Sequence, residues 1–156
     1  MIVNNKTFPD HRGSLTCFDI KTWNQLNVSK NVKKFTFRGM HYQNNPRQEK
    51  LITVTSGKIV DFIYDLESKS LGCFVLNELE SVYVHKNAAH GFITLEDNTT
   101  VSYLVNGKYN PNEEKSIIWN NIPDLKSYIL TICKESEIII SDKDLNGKWK
   151  IKEKKQ

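Results

Sequence analysis

Between Phe35 and Asn106 the chain breaks into short apolar-rich runs separated by turn signals, and this spacing limits its fold more than any other feature. Strand candidates lie at 35–43, 50–56, 58–66, 72–79, 81–86, 90–96 and 99–106, with a further one at 137–141. Ser56-Gly57, Asp97-Asn98 and Asn106-Gly107 mark turns between them, and no helical periodicity intervenes. Many short strands at regular spacing predict an antiparallel sandwich or barrel. Ahead of this block, a possible short strand, the turn-rich PDHRG and the run SLTCF predict two more strands within residues 1–18. Asp19–Leu26 reads as a short helix, with Asp19 as N-cap and Ile20, Trp23 and Leu26 at three-residue spacing. QLNVS and the polar KNVKK follow without an assigned element. No internal repeat or linker is visible, so residues 1–147 read as one domain and 148–156 as a lysine-rich tail.

Charge and cysteine usage exclude several functions. The net charge of +4 is accounted for by five lysines and one glutamate in the tail, which leaves residues 1–147 balanced. A basic end is a solvated tail, whereas nucleic-acid binding needs a basic face, so no nucleic-acid partner is expected. No apolar run approaches the roughly 18 residues of a membrane span, and MIVNNKTFPD lacks the apolar core of a signal peptide. Cys17, Cys73 and Cys133 are odd in number and form no CxxC pair. A reduced, cytoplasmic setting without disulfides or a zinc knuckle is expected.

The stretch Phe37–Leu51, FRGMHYQNNPRQEKL, gathers Arg38, His41 and Lys50 on a strand, its loop and the next strand. Taken singly, Arg38 and Lys50 read as strand-end charges and His41 as a hydrogen-bonded core histidine. Strict alternation puts His41 and Gln43 on one face with Gly39, and Arg38 and Met40 on the other. Bringing Arg38 and His41 into one pocket requires a bend, and a bulge at Gly39 is where it would form. Asp61 and Asp65 each read as a paired structural carboxylate or a turn residue rather than a catalyst, and His85 as a surface strand end.

This stretch, with Asp10-His11-Arg12-Gly13, Ala89-His90-Gly91-Phe92, Tyr109-Asn110-Pro111 and Ser141-Asp142-Lys143-Asp144, closely resembles the signature motifs of the nucleotide-sugar 3,5-epimerases, the dTDP-4-dehydrorhamnose 3,5-epimerase family. The likeness runs from about Asp10 to Gly147 with its motifs in order. It implies an all-β, cupin-type jelly-roll barrel with one or two short helices, and a homodimer that exchanges N-terminal strands. It also implies site roles. His41 would be the catalytic base and Asp144 its carboxylate partner, with Tyr103 the acid and Lys50 beside the substrate's keto oxygen. Arg12, Arg38 and His90 would hold the diphosphate or sugar, Gln25 and Asn27 would line the pocket, and Tyr109 would stack on the base. Glu114 and Lys143 would be further substrate contacts, and Trp119 a packing residue. Two departures stand out. Cys17 occupies a position where the family usually has an acidic residue, and the chain stops earlier than most members.

The implied chemistry is coherent. The C–H bonds at C3 and C5 of a 4-keto sugar are acidic because the carbanion delocalises onto the C4 oxygen. Epimerisation then needs a base on one ring face, charge stabilisation at the oxygen, and an acid on the other face. Proton transfer alone suffices, so no cofactor is expected. The metal-binding cupin pattern needs H-x-H and a glutamate, but the first motif here is His41-Tyr42-Gln43, so no metal is expected either. The resulting expectation is an isomerase acting on a nucleotide-diphosphate 4-keto sugar in deoxysugar or cell-surface polysaccharide biosynthesis. Two alternatives stay open: a nucleotide-sugar 3,4-ketoisomerase of the same fold, and an inactive sugar-nucleotide binding module.

Overall fold

The computed structural model describes residues 6–18 and 23–147. Two antiparallel sheets face each other. The first carries β1 (Lys6–Asp10), β2 (Gly13–Phe18), β3 (Gln25–Asn31), β5 (Glu49–Ser56), β8 (Ser81–Val84) and β10 (Thr99–Asn106), in the order β1-β2-β3-β10-β5-β8. The second carries β4 (Phe37–Gln43), β6 (Ile59–Asp65), β7 (Leu71–Leu76), β9 (Ala88–Thr94) and β11 (Glu114–Ser116), in the order β11-β4-β9-β6-β7. Strands adjacent in sequence mostly lie in opposite sheets, as in a jelly roll. Two short helices complete the described chain, α1 (Pro123–Ile132) and α2 (Asp142–Asn146).

The alternation that predicted the strands also divides the molecule into layers. Val60 and Phe62 of β6, with Ala89 and Ile93 of β9, point away from the first sheet and join Phe37, Met40, Trp119, Leu125 and Ile129 in one buried cluster. Helix α1 closes this cluster. Pro123 opens the helix at a position where the missing N–H costs nothing, and Leu125 and Ile129, four residues apart, turn the same face inward. Ile52, Val54, Ile59, Phe92 and Val101 fill one end of the space between the sheets. Burying side chains of this size stabilises by about 1.5–3 kcal/mol each, so both clusters hold the sandwich closed.

Three expectations need correction. Residues 137–141 form no strand: Glu135–Glu137 is a 3-10 turn, and Ile139 makes only an isolated bridge to Thr36. That bridge completes the edge of β4 where β11 has ended. The helix expected over Asp19–Leu26 is also not borne out at its end, because Gln25 and Leu26 already belong to β3; residues 19–22 lie outside the described residues. The polar QLNVSKN is itself a strand. Its Asn27, Ser29 and Asn31 point inward and are buried at 8%, 0% and 1% exposure, so the period-2 pattern is present with polar residues on the inner face. The 148–156 tail lies outside the described residues.

Candidate active site

At the end of the sandwich opposite the apolar fill, the inner face becomes polar and encloses a cavity of about 600 Å³. Each of the twelve residues singled out from the sequence lines it: His41, Asp144, Tyr103, Lys50, Arg12, Gln25, Asn27, Arg38, His90, Tyr109, Glu114 and Lys143.

The bulge expected at Gly39 is what brings Arg38 and His41 together. Arg38 pairs with Phe92 and His41 with His90, and the β4–β9 register shifts between them. Gly39 adopts φ +129, and a Cβ there would lie 2.6 Å from the Cα of Gly91. Only glycine fits this backbone against that neighbour. Met40 turns outward into the α1 cluster, and Arg38 and His41 both face the cavity.

His41 Nε2 donates to Asp144 Oδ1 at 2.6 Å. Asp144 is 2% exposed, and its other oxygen accepts from the Gly39 N–H and from Arg12 Nη1, each at 3.2 Å. Burial works to raise the Asp144 carboxyl, but His41, Arg12 and the Gly39 amide together hold it below the ordinary carboxylate range. The Ser141 hydroxyl accepts from the Asp144 N–H at 3.2 Å and caps α2, fixing where the carboxylate points. A carboxylate on Nε2 sets the imidazole tautomer and leaves Nδ1 as the proton acceptor.

Tyr103 enters the same cavity from the first sheet, in register with Asn27 on β3 and Ile52 on β5. Burial pushes its hydroxyl up to about 12, against the opposing pull of the Arg38 guanidinium, so the phenol stays protonated near neutral pH. Lys50, two residues from Ile52 on β5, makes no side-chain hydrogen bond or ion pair among the described residues. Burial pushes its ammonium down, while Glu114 and Asp61 favour the charged form. An unpaired ammonium in a recessed wall is suited to meet a developing oxyanion.

The remaining residues form a polar rim. Arg38 Nε donates to Asn31 Oδ1 at 2.8 Å, while its Nη2 is buried without a partner. Glu114 Oε2 accepts from Tyr109 Oη at 3.0 Å and from Lys143 Nζ at 2.9 Å. Gln25 Nε2 donates to Asn27 Oδ1 at 2.7 Å. His90 Nε2 donates at 2.6 Å to Asp61, which is wholly buried, as expected of a structural carboxylate. Asp65 holds its turn by accepting from the Glu67 and Ser68 amides, and His85 lies apart from the site. Among the described residues no group of three or more His, Cys, Asp or Glu side chains could hold a metal ion.

Two residues that bear on the site were not singled out from the sequence. Asp10 grips Arg12 through Nε, Nη2 and the backbone N–H, and Asn31 orients Arg38. The two-residue spacing of Asp10 and Arg12 was the available signal for the first. Asn31 carried none beyond its place in an unassigned polar stretch.

Residues 1–150 match the sequence profile of the dTDP-4-dehydrorhamnose 3,5-epimerases. The chain belongs to this family. A family member from Mycobacterium tuberculosis is 38% identical over 88 residues, covering 51% of this chain but only 44% of that relative, so the chain matches less than half of its length. One from Methanothermobacter thermautotrophicus is 28% identical over 171 positions, covering 96% of this chain and 88% of the relative. The crystal structure of the Bacillus anthracis dTDP-4-dehydrorhamnose 3,5-epimerase, with TDP and pyrophosphate bound, superposes with a TM-score of 0.67 at 30% identity, covering 92% of this chain and 89% of that one. The 3,5-epimerases share the jelly roll, and the described residues include no helix long and apolar enough to cross a membrane.

Proposed function

We propose that the protein is an epimerase that inverts C3, C5 or both in a 4-keto-6-deoxyhexose carried on a nucleoside diphosphate, in deoxysugar biosynthesis. The observation that carries this reading is that one cavity is lined by an imidazole backed by a buried carboxylate, by a phenol from the opposite sheet, and by an ammonium that has no hydrogen bond or ion pair among the described residues. His41 Nδ1 removes the proton from the carbon beside the ketone. Asp144 stabilises the imidazolium that forms, and Lys50 the charge on the C4 oxygen. Tyr103, whose high proton affinity keeps it loaded at neutral pH, returns a proton from the other ring face.

The rest of the cavity suits the remainder of such a substrate. Arg38 has a buried donor without a partner among the described residues, and burial together with the like charge of nearby Arg12 pushes its proton affinity down. A diphosphate relieves both conditions by bridging the two forks. Tyr109, half exposed at the mouth, offers its ring to a nucleobase. The Bacillus anthracis relative binds TDP and pyrophosphate, which supports a nucleoside diphosphate as the carrier. The second copy expected in the assembly is supported by β1, exposed along its whole length with Phe8 at 56%, and light scattering in solution would show whether the dimer forms.

The test is incubation with dTDP-4-keto-6-deoxyglucose in deuterium oxide, read by mass spectrometry and NMR. Deuterium at C3 or C5 with inverted product supports the epimerase. A carbonyl moved to C3 identifies the 3,4-ketoisomerase, and binding without exchange identifies a binding module.

A further inference from the structure

Arg12, for which the family likeness implies a diphosphate contact, is bonded to two carboxylates inside the protein. Its Nε and Nη2 donate to Asp10 Oδ2 at 3.1 and 2.7 Å, and its Nη1 donates to Asp144 Oδ2 at 3.2 Å. The guanidinium therefore holds the carboxylate that holds the base. We propose that Arg12 is a positioning residue that restrains the His41–Asp144 pair before substrate binds, and that the substrate's diphosphate releases the restraint by drawing the Arg12 fork away from Asp144. The assignment rests on the epimerase reading and extends it to how the base is switched on.

The physical steps are few. Asp144 is placed to stabilise the positive charge that His41 takes on with a proton. A guanidinium on the same carboxylate offsets that negative charge and weakens the support. Arg12 also lines the cavity beside Arg38, whose buried Nη2 has no partner, so an anion entering there meets two forks. Phosphate oxygens match a guanidinium in pairs, and they compete directly for Nη1. Once Nη1 leaves, the carboxylate charge is returned to the imidazole. Proton abstraction is then coupled to correct occupancy of the phosphate end of the site, an instance of remote binding energy used at the reacting centre.

Other charged groups face this pair. Arg38 lies on β4 with His41, Lys143 on α2 with Asp144, and Glu114 on β11, where its charge is felt by His41. Asp10 lies beyond Arg12, and His90 pairs with His41 in register across the β4–β9 ladder. None of these other groups makes an ion pair or side-chain hydrogen bond to Asp144, so among the described residues Arg12 is the only arginine or lysine in contact with it.

The experiment measures deuterium exchange into the free 4-keto-6-deoxyhexose, which lacks the nucleotide and diphosphate, with and without inorganic pyrophosphate. The intact nucleotide sugar serves as a separate control. In the wild-type protein, pyrophosphate should accelerate exchange into the free sugar by about threefold or more, because the rate of general-base catalysis follows the strength of the base only in part. Arg12→Met should exchange the free sugar faster than the wild type without pyrophosphate and should ignore its addition. The acid limb of its pH profile for kcat/KM should also move to higher pH, which a merely structural role would not produce. Three results overturn the assignment: no acceleration of the wild type by pyrophosphate, no detectable exchange of the free sugar under either condition, or an Arg12→Met variant slowed equally on free and intact sugars. The wild-type arm decides the matter even if the variant does not fold. Absence of exchange with the intact nucleotide sugar would instead remove the epimerase reading itself.

Discussion

On β6, Val60 and Phe62 point outward into an apolar layer closed by α1, while Asp61 between them points inward, wholly buried, with one oxygen on His90 and the other without a partner. On β9, Ala89 and Ile93 face outward and His90 inward. The same two strands thus carry one face that stabilises the fold and one that costs it stability. Dehydrating a carboxylate, an ammonium and guanidiniums is unfavourable, and an interior selected only for stability would fill that space with hydrocarbon. The polar face is retained at a cost that the apolar one offsets, so the two faces should separate cleanly under mutation.

The sharpest way to break this contrast is His41→Ala. It should lower C3 exchange by roughly 10³-fold or more, within reach of what a general base contributes, and leave the thermal midpoint nearly unchanged. Loss of folding together with activity would show that the polar face is structural after all. From the outer face, Trp119→Ala should cost about 3–5 kcal/mol by denaturant titration, as expected for emptying a fully buried aromatic site, while the folded fraction keeps its turnover. Tyr103→Phe comes next: exchange persists, but inverted product falls by roughly 10²-fold, because removal of the proton no longer leads to delivery from the far side.

The smallest effect concerns pH. Tyr103 is raised in the fold to about 12 from 10. Between those values the unfolded chain has lost a proton that the folded one keeps, so stability is fully present below about pH 10 and declines as pH rises toward 12. Tyr103→Phe should flatten that alkaline limb by about 1–2 kcal/mol, measured by chemical denaturation across the window. An identical limb in the variant would mean that the hydroxyl is less buried than its place in the wall indicates.

The outer face and the apolar end were legible from sequence because their alternation is hydrophobic: β5, β6, β9 and β10 fall close to their expected positions. β3 escaped because its inward side chains are Asn27, which bonds Gln25, and Ser29 and Asn31, which bond each other and, through Asn31, Thr99 and Arg38; they carry no apolar stripe. Helix α1 was signalled by Pro123 and by the spacing of Leu125 and Ile129, but it follows a long strand-rich tract and went unassigned. For the site, residue types and motifs named groups that the fold brings to one cavity. Alternation alone would have separated Arg38 from His41, and only coordinates show the register shift that joins them. The partnership of Asp10 and Arg12 with Asp144 spans 132 residues from arginine to carboxylate, a separation no local pattern encodes.

The back-to-back glycines of β4 and β9 have one more implication. A methyl group on Gly39 would strike Gly91, and one on Gly91 would meet the Arg38 carbonyl at 2.7 Å and the Met40 sulfur at 2.8 Å. Neither position can gain a side chain by itself, and a change at one is not repaired by a change at the other, since both already carry the smallest possible group. A single added carbon at either glycine would therefore undo the register that joins Arg38 to His41, while every side chain lining the cavity stayed spelled as before.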